Sequence, residues 1–548
     1  MSGPLTATPS GPPELATVVA RALVDAGLAA DCDSVTPGFE RPRNREHGDW
    51  ATNVALTLAR PLGRPPREVA QALVDHLQLP PDVERVEVAG PGFVNFTLSH
   101  GALERIVAQA VSLGERWGHG DEGAGHAINM EFVSANPTGP LHVGAGRWIA
   151  AGDGMAALLE ATGWAVTREY YLNDAGNQLE AFGRSVAARM RAEPVPEGGY
   201  QGAYVTALAA ELQAAGVPAE PLDDLTDRAY ARMLSRIKDT VAALGVTFDV
   251  WFSERTLHAA GAIDAVVARL EQAGHAYRAD GAVWLRTTMF GDDKDRVLIR
   301  ADGRPTYFAA DCAYMASKFD RGAQRAVYLL GADHHGYVGR LRAIADAEGI
   351  GRERVEIIIG QLVNLYRGGE AVRMSKRTGD MVVLDELLAE VGADAARYTF
   401  LRFSLDVTID FDIAEVVRQD RENPVYYVQY SCARIAGIVR TAQERGVQPG
   451  AVADADLTLL RHDAEEELIR RIGAFPETVA YAAAERAPHK VARYAEDLAA
   501  AFHVFYTECQ VLSDDAALTR ARYHLCVAAR QTLANALGLL GVSAPERM

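Results

Sequence analysis

The stretch NPTGPLHVGAGRWIAAGD, residues 136–153, decides the fold class. Before it stands AINMEFV (127–133), a short apolar run of the kind that forms a strand buried on both faces. WIAAGDGMAALLEATG (148–163) carries apolar residues at helical spacing, with Gly163 placed as a C-terminal cap. WAVTREYYL (164–172) then reads as a second strand. Strand, helix and strand in immediate succession make a βαβ unit, which implies parallel pairing and a right-handed crossover.

The corner itself is rich in proline and glycine, with His142 where the helix begins. A helix N-terminus after a parallel strand presents unpaired N–H groups and the positive end of the helix dipole, and so attracts anions. Gly144 and Gly146 would let a phosphate approach the backbone, and His142 and Arg147 would add donors. Close packing alone can also produce such a turn, and the corner by itself leaves both readings open. No Gly-Lys-Ser/Thr follows, so it is not a Walker loop, and the third glycine of the dinucleotide fingerprint is missing.

Outward from the corner, the 548 residues call for three or four domains. Residues 1–120 alternate helical patterns with short β-like runs and form an N-terminal α+β domain. It contains a basic arm, RPRNR, with Arg41, Arg43 and Arg45, which on its own reads as a solvated loop. Residues 121–365 form a Rossmann-type parallel-sheet domain, split at about 178–300 by a helical and hairpin insertion in which two Asp-Gly corners mark hairpins. Residues 366–412 connect to an all-α helix bundle at 413–548. The expected class is therefore a multidomain α/β protein.

Composition narrows the function. Hydrophobic residues make up 49% and charged residues 23%, as in soluble globular chains. No stretch approaches the roughly 18 uncharged apolar residues that span a bilayer, so no membrane partner is expected. The start MSGPLTATPSGPPE has neither the basic nor the apolar part of a secretory signal, which points to the cytoplasm. Five scattered cysteines include no C-x-x-C pair, so no protein-bound zinc or other metal site is expected. A net charge of −18 disfavours general nucleic-acid binding but allows a local basic face. Only five lysines occur among 55 basic residues: Lys238, Lys294, Lys318, Lys376 and Lys490. Each therefore raises a question of its own.

One of them, Lys376, lies in RGGEAVRMSKRTGDMVVLDELL (367–388), between Arg373 and Arg377 and among Gly368, Gly369 and Gly379. A cationic glycine-flanked loop can neutralise charge developing on a polyphosphate. Together the two segments resemble the paired signatures of class I aminoacyl-tRNA synthetases. EFVSANPTGPLHVG, YYLNDAGNQ, GADHHGY, RMSKRTGD, DFDIAEVVRQDRENPVYYVQYSCARI and the closing APERM are similar, more narrowly, to the arginyl-tRNA synthetase family. The resemblance covers nearly the whole chain.

It implies that ATP, accompanied by Mg²⁺, and L-arginine form arginyl-adenylate and pyrophosphate. Arginine then passes to the 3′-terminal adenosine of tRNA(Arg). The carboxylate of arginine is already a nucleophile, so positioning and phosphate stabilisation are what the protein must supply. Motif by motif, the resemblance assigns His142 and Lys376 to catalysis. It assigns His142, Gly144, Gly146, Arg373, Met374, Ser375 and Lys376 to ATP, and Glu131, Ser134, Asn136, Tyr307, Asp311 and His334 to arginine. Tyr307 and Asp311 are four residues apart, hence on one helix face, and a guanidinium fork suits carboxylates. In the bundle, Tyr426, Tyr430 and Arg434, with Tyr427 and Gln429 nearby, correspond to the anticodon-binding region, where aromatic faces suit unstacked bases. The arginines of the basic arm are the matching expectation for the tRNA elbow. The chain is expected to act as a monomer.

One position departs from the family. Ala145 stands where a second histidine is usual, and alanine donates nothing to a phosphate. Loss of such a donor costs about 2–4 kcal/mol where nothing replaces it. Compensation by Arg147 or the lysine loop is the favoured expectation. It carries the corollary that Lys376→Ala loses most activity while Ala145→His keeps or raises it. The alternative is a tRNA-binding copy with weak or no charging activity.

Overall fold

In the computed structural model, the described residues are 13–42, 44–372 and 382–548. They divide into two compact units, each described separately below. The first holds residues 121–426 and 539–542, and the second holds 3–120, 427–538 and 543–548.

The first unit is built on a five-stranded parallel sheet. Its strands are β1 (Ala127–Phe132), β2 (Ala165–Leu172), β3 (Val250–Ser253), β4 (Arg325–Gly331) and β5 (Val355–Gly360), in the spatial order β5-β4-β1-β2-β3. β1 lies in the middle, pairing Met130 with Val327 on one side and Glu131 with Glu169 on the other. Its burial on both faces explains its mostly apolar sequence, in which Asn129 and Glu131 are the polar exceptions. The corner leads into helix α1 (Val143–Ala161), which ends at Thr162 and the positive-φ Gly163, as the sequence suggests. Helix α2 (Tyr307–Asp320) precedes β4 and is N-capped by Thr306, whose hydroxyl accepts from Ala309 N.

The insertion departs from the expected picture in two ways. β3 belongs to the central sheet, although residues 178 to about 275 read as helical. It is a four-residue edge strand with every residue only half-buried, too short to show a period. The first Asp-Gly corner, at Asp280 and Gly281, closes a two-residue hairpin with positive φ at both positions. The second, at residues 302–303, makes a tight turn whose return limb forms only an isolated bridge at Pro305, which has no N–H to offer a ladder. Near residue 410 a further strand appears: Ile409–Asp412 runs parallel to Val363–Arg367.

The second unit joins the N-terminal α+β residues and the terminal helices around shared packing. A four-stranded antiparallel sheet (Phe39–Glu40, Trp50–Thr52, Phe93–Leu98, Val83–Ala89 in spatial order) covers a core that includes Leu15, Val19, Leu73 and Phe96. Helix His100–Leu113 packs on helix Asp463–Gly473, and Asn535 donates to the carbonyls of Gly114 and Trp117. Among the described residues of the chain, no helix is long and apolar enough to cross a membrane.

Candidate active site

The C-terminal edge of the parallel sheet gathers most of the expected substrate residues. Glu131 is the penultimate residue of β1 and only 6% exposed. Immediately after β1 the backbone takes positive φ at two non-glycine residues, Val133 (74°) and Ser134 (41°). A β-branched residue in that region is strained, and such strain concentrates at working sites. The bend is held by Tyr170, whose hydroxyl accepts from Ala135 N and donates to Ala135 O. It aims the Ser134 hydroxyl, which donates to Glu131 Oε1 at 3.0 Å and accepts from Tyr171 N at 3.1 Å. Asn136 donates to Gln178 Oε1 at 2.6 Å, fixing the start of the corner against helix Asn177–Met190.

Helix α2 brings its first turn to the same edge. Tyr307 is half exposed, while Asp311, one turn on, accepts a 2.9 Å hydrogen bond from the Tyr337 hydroxyl. Burial pushes the Asp311 carboxyl up to about 7, opposed by the Tyr337 hydrogen bond and reinforced by the charges of Glu131 and Glu254. His334 is exposed on the short helix Ala332–Tyr337, its ring edge-on to Tyr337.

Glu254 escaped sequence reasoning. It follows β3 directly and is 3% exposed, and its Oε2 has no hydrogen-bond partner among the described residues. Burial raises its carboxyl. Tyr171, on β2, lies in the field of Glu254, Asp311 and Glu131, and its hydroxyl is pushed up by burial and by those three charges. Asp174, buried in the YYLNDAGNQ segment, accepts from Ser253 Oγ (2.6 Å), Tyr230 Oη (2.9 Å) and Arg255 N (3.2 Å), and so fixes the turn that carries Glu254. The only sequence signal for Glu254 would have been recognition of β3 itself. An open groove lined by Asp174, Asn177, Glu254, Arg255, Arg300 and Tyr307 leads to this cluster. Three acidic side chains, Glu131, Glu254 and Asp311, thus act on one another's charge at this edge, with Tyr307 exposed beside them.

At the corner, His142 is the N-cap of α1 and forms a bridge with Val383, while Leu384 N donates to Leu141 O at 2.8 Å. The segment after residues 373–381 is thereby fastened to the corner. A Cβ at Gly144 would come within 2.9 Å of the His142 ring, so glycine is required there to seat the imidazole. Gly146 answers to packing instead: a Cβ would meet Leu384 at 2.8 Å and Phe400 at 2.9 Å. Arg373, Met374, Ser375 and Lys376 lie outside the described residues.

Arg147 corrects the expectation that it supplements the phosphate site. It is fully buried, and its guanidinium donates to the carbonyls of Gln361 (2.8 Å), Leu362 (3.2 Å), Ser404 (2.8 Å) and Val407 (2.8 Å). Burial lowers it to about 10, with Asp406 opposing. Both of its terminal nitrogens are committed to backbone and its Nε is buried, so it cannot stand in for the histidine missing at position 145. Ala145 is itself 3% exposed, and its N–H bonds to His142 O at 2.8 Å.

In the second unit, Arg41 pairs with Glu477 at 3.1 Å and lies over the Trp50 ring, and Arg45 pairs with Glu466 at 2.9 Å. The arm is thus tied to acidic side chains of the helices rather than standing as a loose basic loop; Arg43 lies outside the described residues. Tyr430 stacks on His503 and bonds Arg434, and Arg434 also lies over the ring of Tyr506. Tyr426 is half-buried on the same helix. Among the described residues, no group of three or more His, Cys, Asp or Glu is arranged to hold a metal ion.

Comparison with known proteins follows the same division. Residues 13–98 match the family described as the arginyl tRNA synthetase N terminal domain, residues 219–401 the tRNA synthetases class I (R) catalytic domain, and residues 428–548 the DALR anticodon binding domain. The chain is 48% identical to an arginine–tRNA ligase of Frankia alni over 551 aligned residues, covering 98% of this chain and all of that protein. Its structure is similar to that of the Thermus thermophilus arginyl-tRNA synthetase, with a TM-score of 0.80, 25% identity, and 98% and 99% of the two chains covered. The arginyl-tRNA synthetase of Plasmodium falciparum shares the fold at 15% identity, with a TM-score of 0.76 and 98% of each chain covered.

Proposed function

The chain belongs to the arginyl-tRNA synthetase family and is an arginine–tRNA ligase, and from that premise we propose how its residues divide the reaction. Asp311 and Glu254 pair with the guanidinium of L-arginine, and the Tyr307 side chain covers it at the pocket rim. Glu131, Ser134 and Asn136, at the end of β1, hold the amino-acid end so that its carboxylate faces the α-phosphate of ATP. His142 and the first-turn N–H groups of α1 stabilise the charge that builds on that phosphate as pyrophosphate leaves. Lys376, with Arg373, Met374 and Ser375, serves the same phosphates from the other signature. Mg²⁺ arrives with ATP, held by phosphate oxygens and water. The activated arginine then passes to the 3′-terminal adenosine of tRNA(Arg). Tyr426, Tyr430 and Arg434 offer stacking surfaces to the anticodon loop, and the Arg41–Arg45 arm faces tRNA phosphates where its ion pairs exchange for them. All of these groups lie in one chain, so a monomer suffices for the reaction, and we place that monomer in the cytoplasm.

The convergence of Glu131, Glu254 and Asp311 at one edge of the sheet carries the reading. A carboxylate-lined pocket leaves acids unpaired when a ligand lacks the fork, and so rejects lysine and citrulline without editing. No observation favours the non-charging alternative. The test is tRNA charging with arginine, lysine and citrulline, alongside pyrophosphate exchange with and without tRNA. Charging by arginine alone, abolished by Asp311→Asn and by Lys376→Ala, is the expected result. Undiminished charging by Asp311→Asn would overturn the pocket assignment.

A further inference from the structure

Glu131 and Glu169 are register partners on the adjacent parallel strands β1 and β2, so two carboxylates stand side by side in the middle of a buried sheet. Both are nearly inaccessible, Glu169 completely so. Like charges opposed in this way destabilise a sheet, and far more when water is excluded. The chain places Lys318 between them. This lysine is 1% exposed, with Nζ 3.2 Å from Glu131 Oε2 and 3.0 Å from Glu169 Oε1. It also donates to Asn129 Oδ1 at 2.7 Å and Tyr314 Oη at 2.8 Å, and lies over the rings of Tyr314 and Tyr328. Arg321 completes the balance by gripping Glu169 with two bonds, of 2.6 and 3.0 Å.

Glu169 therefore has cations on both oxygens, and Glu131 does not. Its Oε1 takes the Ser134 hydroxyl, while its Oε2 has no hydrogen-bond partner among the described residues and lies 3.2 Å from Lys318 Nζ. Lys318 further shares one face of α2 with Tyr307, Asp311 and Tyr314, at successive spacings of four, three and four residues. The upper half of that stripe reaches the pocket, and the lower half is anchored under Glu131.

We propose that Lys318 is a positioning residue for arginine recognition: it holds the Glu131 carboxylate aimed at the substrate, and locks Tyr307 and Asp311 in register with it. The inference rests on the reading of Glu131 as a substrate contact. Lys318 does not itself touch arginine. Its loss acts through the placement of Glu131, so it weakens arginine binding more than it changes ATP binding or turnover.

The test is a double-mutant cycle of Lys318→Met and Glu131→Gln in the full-length enzyme, with Lys318→Arg as the conservative variant. KM for arginine, KM for ATP and kcat are measured in tRNA charging, with thermal melting to confirm folding. Lys318→Met is expected to raise KM for arginine by about ten- to a hundredfold, the scale of a lost charged hydrogen-bond partner. KM for ATP should stay within about twofold, and Lys318→Arg should recover much of the loss. In Glu131→Gln the further effect of Lys318→Met should largely vanish. Additive effects in the cycle, an unchanged arginine KM in a folded Lys318→Met enzyme, or a folded Lys318→Arg enzyme in which KM for ATP rises as much as KM for arginine, would overturn the proposal. Unchanged arginine KM in Glu131→Gln would instead overturn the substrate reading on which it rests.

Discussion

The Asp311 carboxylate accepts a 2.9 Å hydrogen bond from the Tyr337 hydroxyl while facing the charges of Glu131 and Glu254. The hydrogen bond favours ionisation, but burial and the two acids outweigh it and lift the group to about 7. An arriving guanidinium reverses that balance by stabilising the carboxylate. Arginine binding below pH 7 must therefore release a proton from Asp311, and the affinity must fall by up to about tenfold for each pH unit below 7. Calorimetric titration at pH 6 in buffers of different ionisation enthalpy should detect nearly one proton released per arginine, and none in Asp311→Asn. Binding that is flat between pH 6 and 8 would contradict the assignment.

Glu169 has the opposite sign. Burial alone would raise its carboxyl, but Lys318 and Arg321 overcome that cost and bring it down to about 2. A group depressed in the folded state contributes stability above its unfolded value, near 4.5, and loses it as pH falls toward 2. Glu169→Gln should thus destabilise the enzyme at pH 7 by about 3 kcal/mol, and by much less near pH 3. Urea unfolding at the two values reads the difference directly, and an equal loss at both would show that the charge is not what stabilises.

Arg147 separates a structural from a phosphate-binding role. Its removal leaves four carbonyls, those of Gln361, Leu362, Ser404 and Val407, without the buried donor that ties them together. Arg147→Met should therefore cost about 3–5 kcal/mol of stability, read as a lower urea midpoint of the full chain. If stability holds and only KM for ATP rises, the guanidinium would have a ligand role that its burial argues against.

The parts of this molecule that were readable from sequence are those fixed by local chemistry. Residues 127–172 announce their βαβ unit because a doubly buried strand must be apolar and a strand-to-helix corner needs glycine and proline. Tyr307 and Asp311 were placed on one helix face by spacing alone. Arg147 was misread because its partners lie 214 to 260 residues away, and nothing near it in sequence distinguishes a buried clamp from a phosphate donor. Arg41 and Arg45 were likewise read as a solvated arm, since the acids that engage them, Glu477 and Glu466, come from the far end of the chain. Glu254 was hidden by a strand only four residues long at the sheet edge, and the purpose of Lys318 shows only once Glu131 and Glu169 are seen side by side.

Position 145 tests how the corner manages without the usual second histidine. Ala145 is 3% exposed and follows directly on the ring-seating Gly144, while its neighbour Gly146 is already packed against Leu384 and Phe400. An imidazole at 145 must be fitted into a buried position now filled by a methyl group, and overpacking of this kind costs about 1–3 kcal/mol. Since Arg147 is committed elsewhere, the proposed division of roles leaves phosphate stabilisation to His142, the helix N-terminus and Lys376. In place of kept or raised activity, Ala145→His is therefore expected to give a lower melting temperature and a pyrophosphate-exchange rate below the parent's. A faster exchange with unchanged melting would mean that the corner has room for the second donor and lacks it.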